Sequence, residues 1–380
     1  TFVMKIVFVV MRFGKDGLAT NILELTRGLI NKGHELHIIT SGFKSIATSD
    51  TNFFQELKSE FDTLGVHVHY FTEPSGNPLK KIVTSVTSLS KIGGLLVKLN
   101  ADVIHCHSPN LTFIPWLLRK KFISTVHADT IRPNARYKHP TLLIAVSQGS
   151  KEFTERVMHS PSKSIRMVYH GISDRFANTT PNDELQQLKL KHDIPTDKLI
   201  IGFVGRISEM KGTDILIEAI GNHLSQEIKN KIHIVLVGDY LTKQKVVWLD
   251  DMLKKHQLKD KITIVSFQDP KPFYELFDVF ILPSRSDTFG LVAVEAMMSG
   301  CCTIRANSNG AYDQINEGIN GMIFQMEDAA ELGEKLKQVL LDQNLRNELA
   351  TNGKEKALAN FTNRQMIENT LTVYEELINL

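Results

Sequence analysis

The sequence predicts an α/β protein of two Rossmann-like, doubly wound domains facing across a cleft. Three observations predict it. Short β-branched runs alternate with longer helical patterns, the alternation runs through two series of similar size, and a polar, proline-bearing stretch separates the series. Lys5–Val10 in particular has the character of a strand covered on both faces, as in a parallel sheet.

In chain order, Lys5–Val10 reads as a buried strand. Residues 19–32 show helical spacing, with Ile22, Leu25, Leu29 and Ile30 on one face and Gly33 where a helix-terminating glycine belongs. Glu35–Thr40 and 66–71 read as strands, 89–99 as a helix, and 103–107, 123–127 and 142–146 as further strands. The second series opens with strand Leu199–Val204 and continues through strands 233–237, 262–267, Val279–Leu282 and 301–305. Helical patterns at 213–220, Lys243–Lys255 and Leu291–Met298 lie between them. Residues 178–197, with Pro181 and Pro195, form the expected hinge. Domains of 4–180 and 181–362 follow, with a closing helix at 363–380.

Composition narrows the function. The 380 residues, 42% hydrophobic and 23% charged, suffice for two cores, and a net charge of +2 does not advertise a nucleic-acid partner. No run of 18 or more apolar residues marks a membrane-spanning helix. The run from Ile6 to Met11 is too short for a secretory signal, and Met4 reads as the native start with a short remnant ahead of it. Cys106, Cys301 and Cys302 are odd in number, two are adjacent, and none has zinc-ligand spacing. They read as reduced residues beside buried strands, so a cytoplasmic location is expected. Apolar and basic residues mix over 80–99 and again over 116–122, which carries Arg119, Lys120 and Lys121. A core-facing helix with solvated lysines is preferred there over contact with the inner membrane surface.

Three segments carry chemistry. In Pro283 to Gly300 a strand end runs into a helix start near Phe289, and Gly290 lets backbone approach a ligand closely. The N–H groups of Phe289, Gly290 and Leu291 would face an anion, aided by the helix dipole. Asp287 and Glu295 could both reach one ligand, and carboxylates suit sugar or ribose hydroxyls because they accept without donating. The plainer alternative is an N-cap Asp and a surface Glu. In Gly202 to Gly212 a strand feeds a loop with Arg206 and Lys211, a planar fork and a mobile point charge suited to a diphosphate. Two ordinary surface cations remain the alternative. In Phe13 to Thr20 a turn bearing Gly14 and Gly17 stands where a Rossmann phosphate loop sits, without the G-x-G-x-x-G spacing. A plain βα turn is preferred there.

Histidines complete the candidates. His105, His107 and His127 fall at strand ends, and His127 would face the cleft. His34, His37, His67 and His69 read as structural. His105 and His107 share a strand face with no evident third ligand, so no metal is expected.

Taken in order, the segments resemble the retaining glycosyltransferases of family 4, which have the GT-B fold. The resemblance covers almost the whole chain. Gly17, Glu24-Leu25 and Gly33-His34-Glu35 resemble the family's first loop, helix and turn; Asp102 to His107 and Thr125-Val126-His127 resemble its strand ends. Ala145-Val146-Ser147, Tyr169 to Ile172, Gly205-Arg206, Lys211-Gly212, Val237-Gly238-Asp239 and Pro283 to Gly300 follow. Val373 to Leu377 resembles the closing helix, which crosses back to the first domain in this family.

The resemblance implies transfer of a sugar, with retention of configuration, from a nucleoside-diphosphate sugar to an acceptor hydroxyl. UDP is the favoured nucleotide. The transferred group would be a hexosyl or N-acetylhexosaminyl unit, the acceptor a sugar or lipid-linked hydroxyl, and the setting cell-surface polysaccharide, glycolipid or glycoconjugate synthesis. It places Arg206 and Lys211 on the diphosphate and the amides of Phe289 to Leu291 on phosphate or sugar. Glu295 would hold the ribose, Asp287 the donor sugar, and His127 the sugar or diphosphate. Gly17 and Phe267 join the donor-binding candidates. The nucleotide sugar is a substrate, and neither metal nor cofactor is expected. The sequence departs from the family at Asp287, where Glu is usual, at Asp16 in the first glycine pair, at Ser173, and at Asn309 and Asp313. Two other readings stay open: a sugar-nucleotide epimerase of similar shape, and a non-catalytic nucleotide-sugar binding protein.

Overall fold

The computed structural model describes residues 3–44, 51–128 and 136–380. The chain divides into two compact units: Thr1–Gly171 with Asn363–Leu380, and Ile172–Thr362. The first holds strands β1 (Lys5–Val10), β2 (Glu35–Thr40), β3 (His67–Tyr70), β4 (Val103–Cys106), β5 (Ile123–Val126), β6 (Leu142–Ala145) and β7 (Ile165–Met167). The second holds β8 (Leu199–Val204), β9 (Ile232–Val237), β10 (Ile262–Val265), β11 (Val279–Leu282), β12 (Cys302–Ala306) and β13 (Met322–Phe324).

Both sheets are parallel and wound alike. The first runs β3-β2-β1-β4-β5-β6-β7 and the second β10-β9-β8-β11-β12-β13. In each, strand order reverses beside the first strand, so the loops after β8 and β11 flank the second unit's switch point, where such sheets bind ligands. The continuous apolar runs explain the winding. Ile6 to Val10 are wholly buried, each worth roughly 1.5–3 kcal/mol for an aliphatic side chain, and helices on both faces are needed to cover them.

Three features differ from expectation. β7 and β13 have three residues each, too few to show a pattern. The polar stretch expected as a hinge contains the helix Asn182–Lys191, which buries no side chain and so carries no apolar face to read. The first unit ends at Gly171 rather than at 180, because 172–180 is bonded into the second unit. There the Ile172 N–H donates to the Phe361 carbonyl at 2.8 Å, the Ser299 hydroxyl to the Phe176 carbonyl at 3.1 Å, and the Thr180 N–H to Glu275 Oε2 at 2.9 Å. The helix Asn363–Asn379 belongs to the first unit, where Met366, Ile367, Val373, Tyr374 and Leu377 share one apolar cluster with Ile6 and Phe8 of β1.

Candidate active site

Two loops of the second unit are drawn together after β8 and β11. After β8 the chain makes a short 3₁₀ turn at Glu209–Lys211 and reaches Gly212 at φ +71°. A Cβ on Gly212 would lie 1.9 Å from the Pro283 carbonyl oxygen, so only glycine allows this approach. The Arg285 N–H donates to the Met210 carbonyl at 3.0 Å, and the Ser284 hydroxyl reaches the same oxygen at 3.4 Å. Arg285 also forks onto Asp214, with both bonds at 2.8 Å, and pairs with Glu327. These carboxylates hold the guanidinium well above its ordinary pKa.

That apposition sets Lys211 Nζ 2.9 Å from Asp287 Oδ2, the side chains being 24% and 18% exposed. Two of the residues singled out from sequence are thus in contact across 76 positions. Arg206 follows Gly205 at the end of β8, is exposed, and makes no ion pair or hydrogen bond among the described residues. Its fork is available to an anion.

The helix Leu291–Met298 begins beside this pair. Gly290 caps it at φ +80°, with no side-chain cap on its first amides among the described residues. Phe289, expected to offer its amide, is buried and stacks edge-on against Phe361. The Phe289 carbonyl accepts from Arg305 Nη1 at 3.0 Å and from Gln314 Nε2 at 2.6 Å. Sequence reasoning missed Arg305, which is fully buried on β12. It also donates to Ser308 Oγ and the Asn309 carbonyl, both at 3.2 Å, and to Gln314 Oε1. It has no carboxylate within ion-pair distance among the described residues, and burial lowers its pKa to about 10. A cation this enclosed is costly unless hydrogen-bonded, and here it fixes the carbonyl side of the helix-initiating turn. The only sequence signal was a charge within the apolar run CTIRA.

Glu295 stands apart from the Lys211–Asp287 pair. It accepts from the Tyr274 hydroxyl at 2.8 Å, and burial raises its pKa to about 7 despite that bond. Asp287 lies in the loop that precedes the helix carrying Glu295, and no direct contact links the two among the described residues. Phe267 projects 46% exposed after β10, its N–H donating to Asp239 Oδ1 at 3.0 Å.

In the first unit, His127 lies just past β5. Its Nε2 is 3.0 Å from His107 Nδ1, and its ring stacks on His170 at 5.3 Å with an interplanar angle of 3°. His127 Nδ1 and His107 Nε2 are buried without a hydrogen-bond partner among the described residues. His105 is structural, bonded to the Tyr374 hydroxyl at 2.8 Å and Thr125 Oγ1 at 2.7 Å. Burial is the main cause that holds all four rings neutral: His105 falls to about 3, His170 to about 4, and His107 and His127 lie well below the usual range. They line a cavity of about 20 Å³, room for about one water. Among the described residues no three His, Cys, Asp or Glu side chains converge as metal ligands.

Gly17, expected in a phosphate loop, is the first residue of the helix Gly17–Asn31. The Asp16 side chain already accepts from the Ala19 N–H at 3.1 Å there, and its negative charge opposes a phosphate at that helix start. The three cysteines are free and buried, and burial pushes the Cys302 thiol up to about 12.

Comparison with known proteins agrees with this architecture. The model of the family described as Glycosyl transferases group 1 matches residues 186–356, and that described as Glycosyltransferase Family 4 matches 15–176. An uncharacterized glycosyltransferase of Methanocaldococcus jannaschii is 24% identical over 94% of both chains. A glycosyltransferase structure from Rickettsia africae superposes with a TM-score of 0.84 at 21% identity, covering 100% of this chain and 99% of that one. Anabaena HepE in complex with UDP superposes with a TM-score of 0.82 at 18% identity, covering 98% and 100%. These two structures share the fold.

Proposed function

The chain belongs to the glycosyltransferases of group 1 and family 4, and on that premise we propose that it transfers a hexosyl or N-acetylhexosaminyl unit from a UDP-sugar to an acceptor hydroxyl with retention. The carrying observation is the Lys211–Asp287 pair, held where two strand-end loops meet the uncapped helix start at Gly290. Exposed Arg206 and mobile Lys211 suit the two phosphates, and the free helix amides suit an anion beside them. The donor is a substrate, and a cationic pocket supplies the charge that a metal would otherwise bring. The UDP seen with the Anabaena protein supports a uridine nucleotide.

In this reading Lys211 leaves Asp287 for the diphosphate when donor binds, freeing the carboxylate for the sugar hydroxyls. Glu295 takes the ribose. The bond from the anomeric carbon to the diphosphate oxygen breaks, the acceptor oxygen bonds from the same face, and the acceptor proton passes to the departing phosphate. Developing charge on that phosphate is stabilised by Arg206, Lys211 and the amides. His127, neutral and with one unmatched ring nitrogen, serves as a hydrogen-bond partner rather than a charge.

The test is Lys211→Ala, with UDP-, GDP- and ADP-sugars offered and nucleoside diphosphate release measured. Turnover should fall by roughly a hundredfold to a thousandfold, with the far-UV circular dichroism unchanged. Near wild-type turnover would overturn the proposal. Product formed from donor alone would favour an epimerase.

A further inference from the structure

The helix Pro78–Leu99 of the first unit buries only Ser88, Ile92 and Leu96. These stand four apart in a single line, and Ile92 and Leu96 join the apolar cluster with Val7, Val9 and Ile104. A second apolar line is uncovered: Leu79, Ile82, Val83 and Val86 are 61–77% exposed, and Val97 continues it. That spacing is i, i+3, i+4, i+7, one face of a helix, turned about 130° from the buried line. Lys80, Lys91 and Lys98 share the far flank of the stripe, and the helix contains no acidic residue. The expectation of a core-facing helix thus fails for its first half, whose residues 78–83 are all exposed.

Neighbouring structure extends the surface. The helix Phe113–Leu117 packs against this one, with Ile114 Cγ2 3.9 Å from the Cβ position of Gly93. It exposes Trp116 and Leu117 ahead of Arg119, Lys120 and Lys121, and Lys138 Nζ lies 4.8 Å from the centre of the Trp116 ring. Two threonine hydroxyls of this helix are bonded internally: Thr84 Oγ1 donates to the Lys80 carbonyl at 2.7 Å and Thr87 Oγ1 to the Thr84 carbonyl at 3.1 Å. Their entry into an apolar medium is correspondingly cheap.

We propose that this face seats the protein on an anionic lipid bilayer surface, with the aliphatic stripe at the acyl boundary and the lysine row among the phosphate headgroups. The helix has 22 residues, and its most apolar 18-residue stretch has a mean hydropathy of 1.4, enough by length and composition to cross a bilayer. The burial of Ile92 and Leu96 in the sheet's cluster keeps it in the fold instead, lying in the plane of the surface. A second copy of the chain is the poorer occupant, because a two-fold contact through this face would bring two lysine rows together.

The proposal is independent of the catalytic reading and is tested without donor. The full chain is co-sedimented with vesicles of phosphatidylcholine alone, and of phosphatidylcholine with an equal part of phosphatidylglycerol. Binding is expected to the anionic vesicles only and to weaken as salt shortens the screening length. Ile82→Gln, Val83→Gln and Val86→Gln together should weaken it at least tenfold, and Lys80→Gln or Lys91→Gln about fivefold each. Lys255→Gln, in the second unit, should leave it unchanged. Equal binding to neutral vesicles, retention in the triple variant, or self-association that the triple variant abolishes would each overturn the proposal.

Discussion

Gly212 and Gly300 offer a controlled pair for testing whether loop apposition builds the site. Both have left-handed backbone, at φ +71° and +85°. An alanine at either position carries the strain of that conformation, about 1–2 kcal/mol. At Gly300 nothing lies within 4 Å of the added Cβ, so strain is the whole effect. At Gly212 the Cβ would lie 1.9 Å from the Pro283 oxygen, where real contacts stay beyond 3.0 Å, so the loops must part by at least about 1.1 Å. A displacement of about 1 Å costs on the order of a hundredfold in rate when it separates positioned groups. Gly212→Ala should therefore lose about a hundredfold in kcat/KM, whereas Gly300→Ala should keep its turnover and lose only stability. Release of nucleoside diphosphate reports the first quantity and urea unfolding the second. Equal turnover in the two variants would show that the contact of the 205–212 and 283–287 loops does not position the reacting groups.

Glu295 makes stability pH-dependent. Its pKa in the folded protein, about 7, exceeds the ordinary 4.5, so the native state holds a proton that the unfolded state releases. Its contribution is complete below about 4.5 and is lost as pH rises through about 7, with a slope approaching 1.4 kcal/mol per pH unit. The neutral histidines of the first unit impose the opposite slope below about 6.5, so the informative quantity is the difference between wild type and Glu295→Gln across this window. A difference that does not vary with pH would refute the assignment. Arg305→Met should lower stability by about 2–4 kcal/mol in urea unfolding, because it strips donors from the Phe289 and Asn309 carbonyls, Gln314 and Ser308. It should also raise KM for donor by loosening the turn at Gly290; unchanged stability and KM would remove Arg305 from the site.

Most of the architecture was legible because its strands are unusually plain. Residues 6–10 and 234–237 are apolar without a break, and Gly33 closes the first helix at φ +88° as its position implied. What escaped was either too short or too polar to show a period, as with β7, β13 and the helix Asn182–Lys191. Lys211 and Asp287 were recognisable singly, since a cation after one strand and a carboxylate before a helix each suggest chemistry. Their contact depends on the close approach at Gly212, which no local pattern records. Arg305 escaped for a related reason: its burial is tolerable only because the turn after β12 returns Ser308, the Asn309 carbonyl and Gln314 to it.

The helix Asn363–Asn379 has a consequence for biogenesis. Residues 172–362 form a unit from one uninterrupted stretch, whereas the first unit needs side chains from either side of that stretch, including the Tyr374 hydroxyl on His105. On the ribosome the earlier-made portion must wait, incompletely packed, until residues 363–379 have emerged. The later-made unit has every residue it needs sooner, reversing the usual N-to-C order of domain maturation. During that interval the cluster around Ile6 and Phe8 lacks its covering helix, which makes this portion the natural client for chaperones.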